Sequence, residues 1–481
     1  MRHFTYRSLG ELEAAASSLG AAHVRFEHDV ANVRGALTRK VNVGRRIVGN
    51  SMAIHPMEGC DGDLAGVPGE LTWRRYERFA RGGAKLIWFE ATAIASDGRA
   101  NPRQIAINEA SVDEYARLHE MMLRVHREEW GNTDDLLIPM QLTMSGRYST
   151  PKRTIVYHNP LLDQKTATPP DYPVISDDEL ERLEDQYVAA TGLAIRAGFT
   201  AVDIKATHGY LLSELLGAKT REGRYGGSLE NRTRFFRNVF GKIRARYGSQ
   251  VMIAMRLGCF DGVPYMKDEA TGVGRPLQYP LPYPWGWGVN ENNPMEPDLT
   301  EVKQAIGWFQ DWGLELLNVS LGSPYYNPHI GRPFEKPDEG SYEEPEHPLL
   351  GVNRHFAVAG ELQRTFPDLP MVGTGYSWLQ KYAINAGAAN VADGNIRFLG
   401  IGRGVLSYPD YARDVLEKGE LDELRVCKTL TYCTFLMRQK GNELGQFPSG
   451  CPPFDKLVYG PIMKEAREAA RRTHSGRPDQ K

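Results

Sequence analysis

Short apolar, β-rich runs recur along most of the chain, separated by longer segments with a helical period. The runs are Ala84–Phe89, Leu136–Gln141, Ala201–Ile204, Val251–Arg256, Leu314–Val319 and Pro370–Gly373. Between them lie helical patterns such as Ser176–Arg196 and Asn231–Tyr247. This alternation predicts a parallel sheet, either doubly wound or closed into a barrel. Polar residues follow directly after many of the runs, where a (β/α)8 barrel gathers its active site, and no Gly-x-Gly-x-x-Gly follows an early strand. The expected fold is therefore α/β, a (β/α)8 TIM barrel.

The chain has 481 residues, and one barrel with insertions can reach that size. Residues 1–40 read as an N-terminal extension with a short helix around Leu9–Leu19, residues 41–418 as the barrel, and residues 419–481 as a helical appendage ending in a polar tail from about Thr473. Within the barrel, residues 261–297 are rich in Pro, Gly, Tyr and Trp and exceed a routine connection of about 2–6 residues. They read as an aromatic lid and capping insertion over the barrel mouth, or as an oligomer contact or self-packed loop.

Composition narrows the class. Hydrophobic residues make up 41% and charged residues 25%, as in a soluble protein with a large core. With 58 Lys+Arg against 60 Asp+Glu, the net charge of −2 supplies no field for nucleic acid or an anionic membrane. The segment MRHFTYRSLGELEAAASSLG lacks the apolar core of a signal peptide, and no run of about 18 apolar residues occurs. Five cysteines do not make a disulfide scaffold. The expectation is a cytoplasmic enzyme acting on a small molecule.

The densest chemistry lies in residues 202–236, VDIKATHGYLLSELLGAKTREGRYGGSLENRTRFF. Lys205, His208 and Tyr210 follow a strand end within six residues. A His can donate to a developing oxyanion, a Lys adds positive charge, and a Tyr hydroxyl delivers a proton. The alternative is structural: Lys205 pairs with its same-face neighbour Asp203, while His208 and Tyr210 pack at a helix start.

This stretch resembles the signature of the Old Yellow Enzyme family, FMN-dependent (β/α)8-barrel NADH:flavin oxidoreductases. The matching residues are His208, Gly209, Tyr210 and Leu211, then Tyr225, Gly226, Gly227, Ser228, Glu230, Asn231, Arg232, Arg234 and Phe235. NSMAIHPMEG resembles the first-strand motif and puts Pro56 and Met57 beside the flavin, with Ser51 and Met52 as the alternative register. By the same resemblance Ala91 lies near the isoalloxazine ring, Gln141 bonds the pyrimidine edge, and Arg256 sits close to flavin N1. Gly373, Gly375, Gly402 and Arg403 belong to the phosphate loops. The resemblance implies an ene-reductase: NADH or NADPH reduces FMN, hydride passes from flavin N5 to an α,β-unsaturated carbonyl compound held by Lys205 and His208, and Tyr210 protonates the α-carbon. Dimers and higher assemblies are frequent in the family, so the resemblance allows a homo-oligomer without fixing the oligomeric state.

Departures from the pattern leave other chemistry open. Lys205 stands where the family usually has His, and suits a more anionic substrate or a different reaction. Glu58 follows Met57 where Thr or Cys is common, Met144 replaces a frequent His, and Tyr376 a frequent Arg. An FMN-dependent amine dehydrogenase or demethylase is one alternative, and a Schiff-base lyase using Lys205 another. Cys427, Cys433 and Cys451 do not complete the four-cysteine set of an iron–sulfur cluster, so no metal is expected. Cys60 reads as a buried structural cysteine rather than a redox thiol.

Overall fold

A computed structural model of the protein describes residues 4–337 and 340–475, with side chains as far as residue 472. Eight staves form its centre. They are β1 (Met52–Ile54), β2 (Leu86–Ile87, then Phe89–Ala93 beyond a break at Trp88), β3 (Pro139–Thr143), β4 (Ala201–Ile204), β5 (Met252–Gly258), β6 (Leu314–Ser320), β7 (Met371–Gly373) and β8 (Phe398–Ile401). All neighbours pair in parallel, and the two halves of β2 meet the two ends of the sheet, which closes the ring. Six staves overlap the apolar runs. The other two, MAI and FLGI, lie outside those runs.

Helices follow the staves and cover them. Two begin where the sequence supplies caps: Ser176 forms a capping box with Glu179 ahead of Asp177–Arg196, and Ser228 accepts from Asn231 N–H ahead of Leu229–Tyr247. The large core lies between strands and helices. A second apolar cluster fills the barrel itself, built from Ala53, Leu86, Trp88, Leu137, Ala201, Ala254, Leu316, Val372 and Phe398 and plugged from below by the hairpin Val41–Val43/Arg46–Val48. Trp88 is at the middle of this cluster, wholly buried, with its indole N–H 2.8 Å from the Asp203 carboxylate.

The peripheral segments differ from expectation in content. The N-terminal extension carries two helices, Leu9–Ser18 and Val30–Leu37, the second packed on Ala383–Ala392. The insertion at 261–297 contains two antiparallel hairpins, Tyr265–Lys267/Gly274–Pro276 and Val289–Asn290/Asn293–Pro297. The appendage is not purely helical: a hairpin, Lys440–Asn442/Gly445–Gln446, joins the helices Tyr432–Arg438 and Lys456–Ser475. It has a small core of its own around Phe435, Phe447, Tyr459 and Met463, and Asp455 ties it to the barrel through Arg74 and Arg78 at 2.6 and 2.8 Å. The last helix runs through Ser475, past the expected tail start at Thr473. Residues 476–481 lie outside those described. Among the described residues no helix is long and apolar enough to cross a membrane.

Truncation of Trp88 would empty the barrel centre and remove a donor from a buried carboxylate. Trp88→Ala should therefore cost about 3–5 kcal/mol, read as the change in urea unfolding free energy; a loss under about 1 kcal/mol would show that the barrel interior does not depend on it.

Candidate active site

One cavity of about 1230 Å³, counting the solvent at its mouth, opens at the C-terminal ends of the staves. Its walls combine apolar groups with a few converging polar ones, the make-up of a small-molecule site. Of the residues singled out in the sequence, Pro56, Met57, Glu58, Ala91, Gln141, Lys205, His208, Tyr210, Arg256, Gly375, Gly402 and Arg403 all line it. Ser51 and Met52 do not: Met52 is buried in β1 and the Ser51 hydroxyl donates to the Arg39 carbonyl, so the register through Pro56 and Met57 is the one that reaches the cavity.

The floor is organised by Asp203 on β4. Its fully buried carboxylate accepts from Trp88 Nε1, from Gln141 Nε2 at 2.6 Å and from the Arg256 backbone N–H at 2.7 Å. With Nε2 committed to Asp203, Gln141 presents its carbonyl oxygen to the cavity. Burial pushes the Arg256 guanidinium down to about 10, reinforced by Arg403, and its Nε has no partner. No direct Lys205–Asp203 ion pair forms among the described residues; the Asp203 carboxylate is taken by other donors.

Lys205 instead places its ammonium 3.9 Å from the centre of the Tyr210 ring, a cation–π contact. Burial pushes Lys205 down to about 7, while the charge of Glu58 opposes the fall. Burial likewise raises Glu58, which accepts from Asn101 Nδ2 at 2.7 Å. His208 is held well below its ordinary value by burial, then by Arg256 and Lys205, so its ring is neutral near pH 7. Its backbone is left-handed, φ 69°, and its carbonyl accepts from the Ser323 hydroxyl at 2.8 Å. Tyr210 precedes the helix Leu211–Leu216 as its N-cap; burial raises its phenol well above 10.

The residues present fit FMN. Gln141 offers an acceptor and Arg256 an unpartnered buried donor, suited to the pyrimidine edge and the charge at N1. At the end of β8, a Cβ on Gly400 would fall 2.3 Å from His55 Nε2, so only glycine lets the chain pass there. Gly375 has φ 98° and opens a short 3-10 helix beside Ser377, while Arg403 and Arg332 supply charge for a phosphate.

Several expectations need correction. Gly373 does not line the cavity; it ends β7, where a Cβ would meet Ile396 and Tyr376 within about 3.0 Å, so its role is packing. No residue of 261–297 lines it either. That insertion spends its rings on itself and the barrel flank: Trp287 is fully buried, and Tyr283 meets Trp285 edge to face at 5.5 Å. The mouth is formed by residues 324–332 and by Thr434, Met437, Arg438 and Ser449 of the appendage. Tyr376 turns away, its hydroxyl on Asn390, and Met144 is buried against Gly98. Cys60 is buried beside Glu58. Sequence reasoning missed His55, Tyr325, Arg332 and Arg438. His55 lay inside the quoted motif; Tyr325 and Arg332 sit on the irregular segment after β6, and Arg438 ends the appendage helix Tyr432–Arg438, whose period does not report what its end faces.

The family model described as NADH:flavin oxidoreductase / NADH oxidase matches residues 39–274. The NADPH dehydrogenase of Halalkalibacterium halodurans is 27% identical over 219 residues, 45% of this chain and 60% of that one. The NADH oxidase of Thermoanaerobacter brockii is 24% identical over 396 residues, 80% of this chain and 51% of the relative. The similarity thus spans about half to two-thirds of these relatives' length. Among solved structures, the Old Yellow Enzyme homologue from Zymomonas mobilis aligns with a TM-score of 0.57 at 21% identity, over 82% of this chain and 96% of its own; the likeness is one of fold.

The Lys205 shift carries a pH signature. Its ammonium is present below about 7 and lost above it, so benzoate, as a test anion, should bind about tenfold more weakly at pH 8 than at pH 6. Isothermal titration of wild type and Lys205→Met checks this: equal affinities at the two pH values, or the same dependence in the variant, would remove Lys205 from the anion site.

Proposed function

We propose, from the match of residues 39–274 to the NADH:flavin oxidoreductase / NADH oxidase family model, that this chain is an FMN-dependent oxidoreductase using NADH or NADPH to reduce the C=C bond of an α,β-unsaturated carbonyl compound. The observation that carries the reading is the convergence of Lys205, His208 and Tyr210 with Gln141 and Arg256 on one cavity. Bound there, FMN would accept two electrons from the nicotinamide and deliver them to the alkene.

The protein's own groups have distinct tasks. Pro56, Met57, Ala91 and Gln141 would orient the ring, Gly375, Gly402 and Arg403 the phosphate, and Arg256 would offset negative charge at the pyrimidine. Neutral His208 donates an N–H to the substrate carbonyl oxygen, and Lys205 adds positive charge there when protonated. Tyr210 keeps its proton through the pH range of interest, because burial disfavours the phenolate, and gives it to the α-carbon. The five cysteines, none in a disulfide, are consistent with a reducing cytoplasm.

A second reading is favoured by one observation. A lysine held near 7 is partly an unprotonated amine at neutral pH and can attack a carbonyl to form a Schiff base. Borohydride trapping of a carbonyl substrate on Lys205 in FMN-free protein would support that lyase chemistry.

The first measurement is the visible spectrum of the purified protein with chromatography of any released flavin; stoichiometric FMN is expected, and colourless protein that takes up no added FMN would overturn the flavoenzyme reading. Arg256→Ala should lose flavin on gel filtration or show an altered flavin potential. Tyr210→Phe should still be reduced by the nicotinamide but reduce 2-cyclohexenone about 10²-fold more slowly; equal losses in both half-reactions would exclude Tyr210 as the proton donor.

A further inference from the structure

Tyr210 is only 2% exposed, which raises the question of how it regains a proton once it has given one away. Its hydroxyl lies 2.9 Å from that of Tyr325, a residue on the segment after β6 that lines the same cavity and is partly exposed. We propose that Tyr325 is the positioning and relay residue for Tyr210: as Tyr210 gives its proton to the substrate carbon, Tyr325 passes its own to Tyr210 and is refilled from water at the cavity mouth. One proton enters from solvent and one leaves on the product; no electrons move in the relay.

Tyr325 is held for this task from several sides. Its ring stacks on Tyr148 with centroids 3.9 Å apart and planes 15° from parallel. Its backbone N–H donates to Ser323 Oγ at 3.2 Å, and the Ser323 hydroxyl donates in turn to the His208 carbonyl. The loop carrying Tyr325 is thereby clipped to the loop carrying Tyr210, so the distance between the hydroxyls is set by two neighbouring barrel loops rather than by a free side chain. Lys205, over the Tyr210 ring, favours any negative charge that gathers there during the transfer. Without the second hydroxyl, Tyr210 would have to be left as a buried phenolate, which its surroundings disfavour.

The inference rests on the reading of Tyr210 as the proton donor, and the test separates the two. In FMN-loaded protein, Tyr325→Phe should slow the oxidative half-reaction with 2-cyclohexenone by about tenfold or more and change its solvent deuterium isotope effect. The Tyr210→Phe/Tyr325→Phe double variant should be no slower than Tyr210→Phe alone, because the relay acts only through Tyr210. Independently of turnover, 3,5-difluorotyrosine at position 210, followed by fluorine NMR, should titrate about one pH unit higher in the Tyr325→Phe background, since the phenolate loses a donor. Additive losses in the double variant, or an unmoved titration, overturn the relay. If the wild type reduces no enone, the ene-reductase reading fails by itself, and the fluorine titration still decides whether Tyr325 governs the Tyr210 proton.

Discussion

The cavity depends on one buried carboxylate. Asp203 sits in the barrel interior without solvent, where an unsatisfied charge would cost several kcal/mol. It is satisfied by donors from three other staves: the indole of Trp88, the amide of Gln141 and the backbone of Arg256. Satisfying that charge does two things at once. It cross-links the staves below the cavity, and it turns the Gln141 side chain so that an acceptor faces upward. With its oxygens taken by these donors, Asp203 acts on Lys205 only through its charge, and Lys205 turns its ammonium to the Tyr210 ring instead.

The cavity wall is cationic. Lys205, Arg256, Arg332, Arg403 and Arg438 line it, with Glu58 as its one carboxylate among the described lining residues. Burial lowers Arg256 and Arg332 to about 10, and the charge of Arg403 adds to the fall in both. A surface of this kind favours a phosphate and an electron-rich ring over a neutral ligand. Glu90, next to Ala91 on β2, adds nothing to it because strand alternation sends its side chain outward, to Arg75 at 2.5 Å in a network shared with Asp61. One residue's step along the strand therefore decides whether a carboxylate faces the ligand or the scaffold.

More of the lining comes from beyond residue 274, where the family match ends, than from within it. The floor, with Lys205, His208 and Tyr210, lies on β1 to β5 and their loops, whereas the mouth is built from the loop after β6 and from the appendage. The matched segment thus supplies the cavity floor, and the rest of the chain supplies most of its rim. Tyr325 belongs to the second group, yet the Ser323 clip and the Tyr210 hydroxyl join it to the first.

Strand and helix periods were enough to read a parallel sheet of repeated βα units, because a buried parallel stave is apolar on both faces, and the polar residues that follow the runs favoured a closed barrel over a doubly wound sheet. The residues after β4 were legible because Lys205, His208 and Tyr210 stand together at a strand end, where a barrel exposes side chains to its mouth, and because the run that follows resembles a family signature. Tertiary structure decided everything that required distant segments to meet. The pairing of Asp203 with Trp88, Gln141 and Arg256, the exclusion of Gly373 and of the aromatic insertion from the cavity, and the arrival of Tyr325, Arg332 and Arg438 at its mouth leave no trace in local pattern. Periodicity reports only which face of an element is buried; which partner waits on that face depends on how loops far apart in the chain pack together.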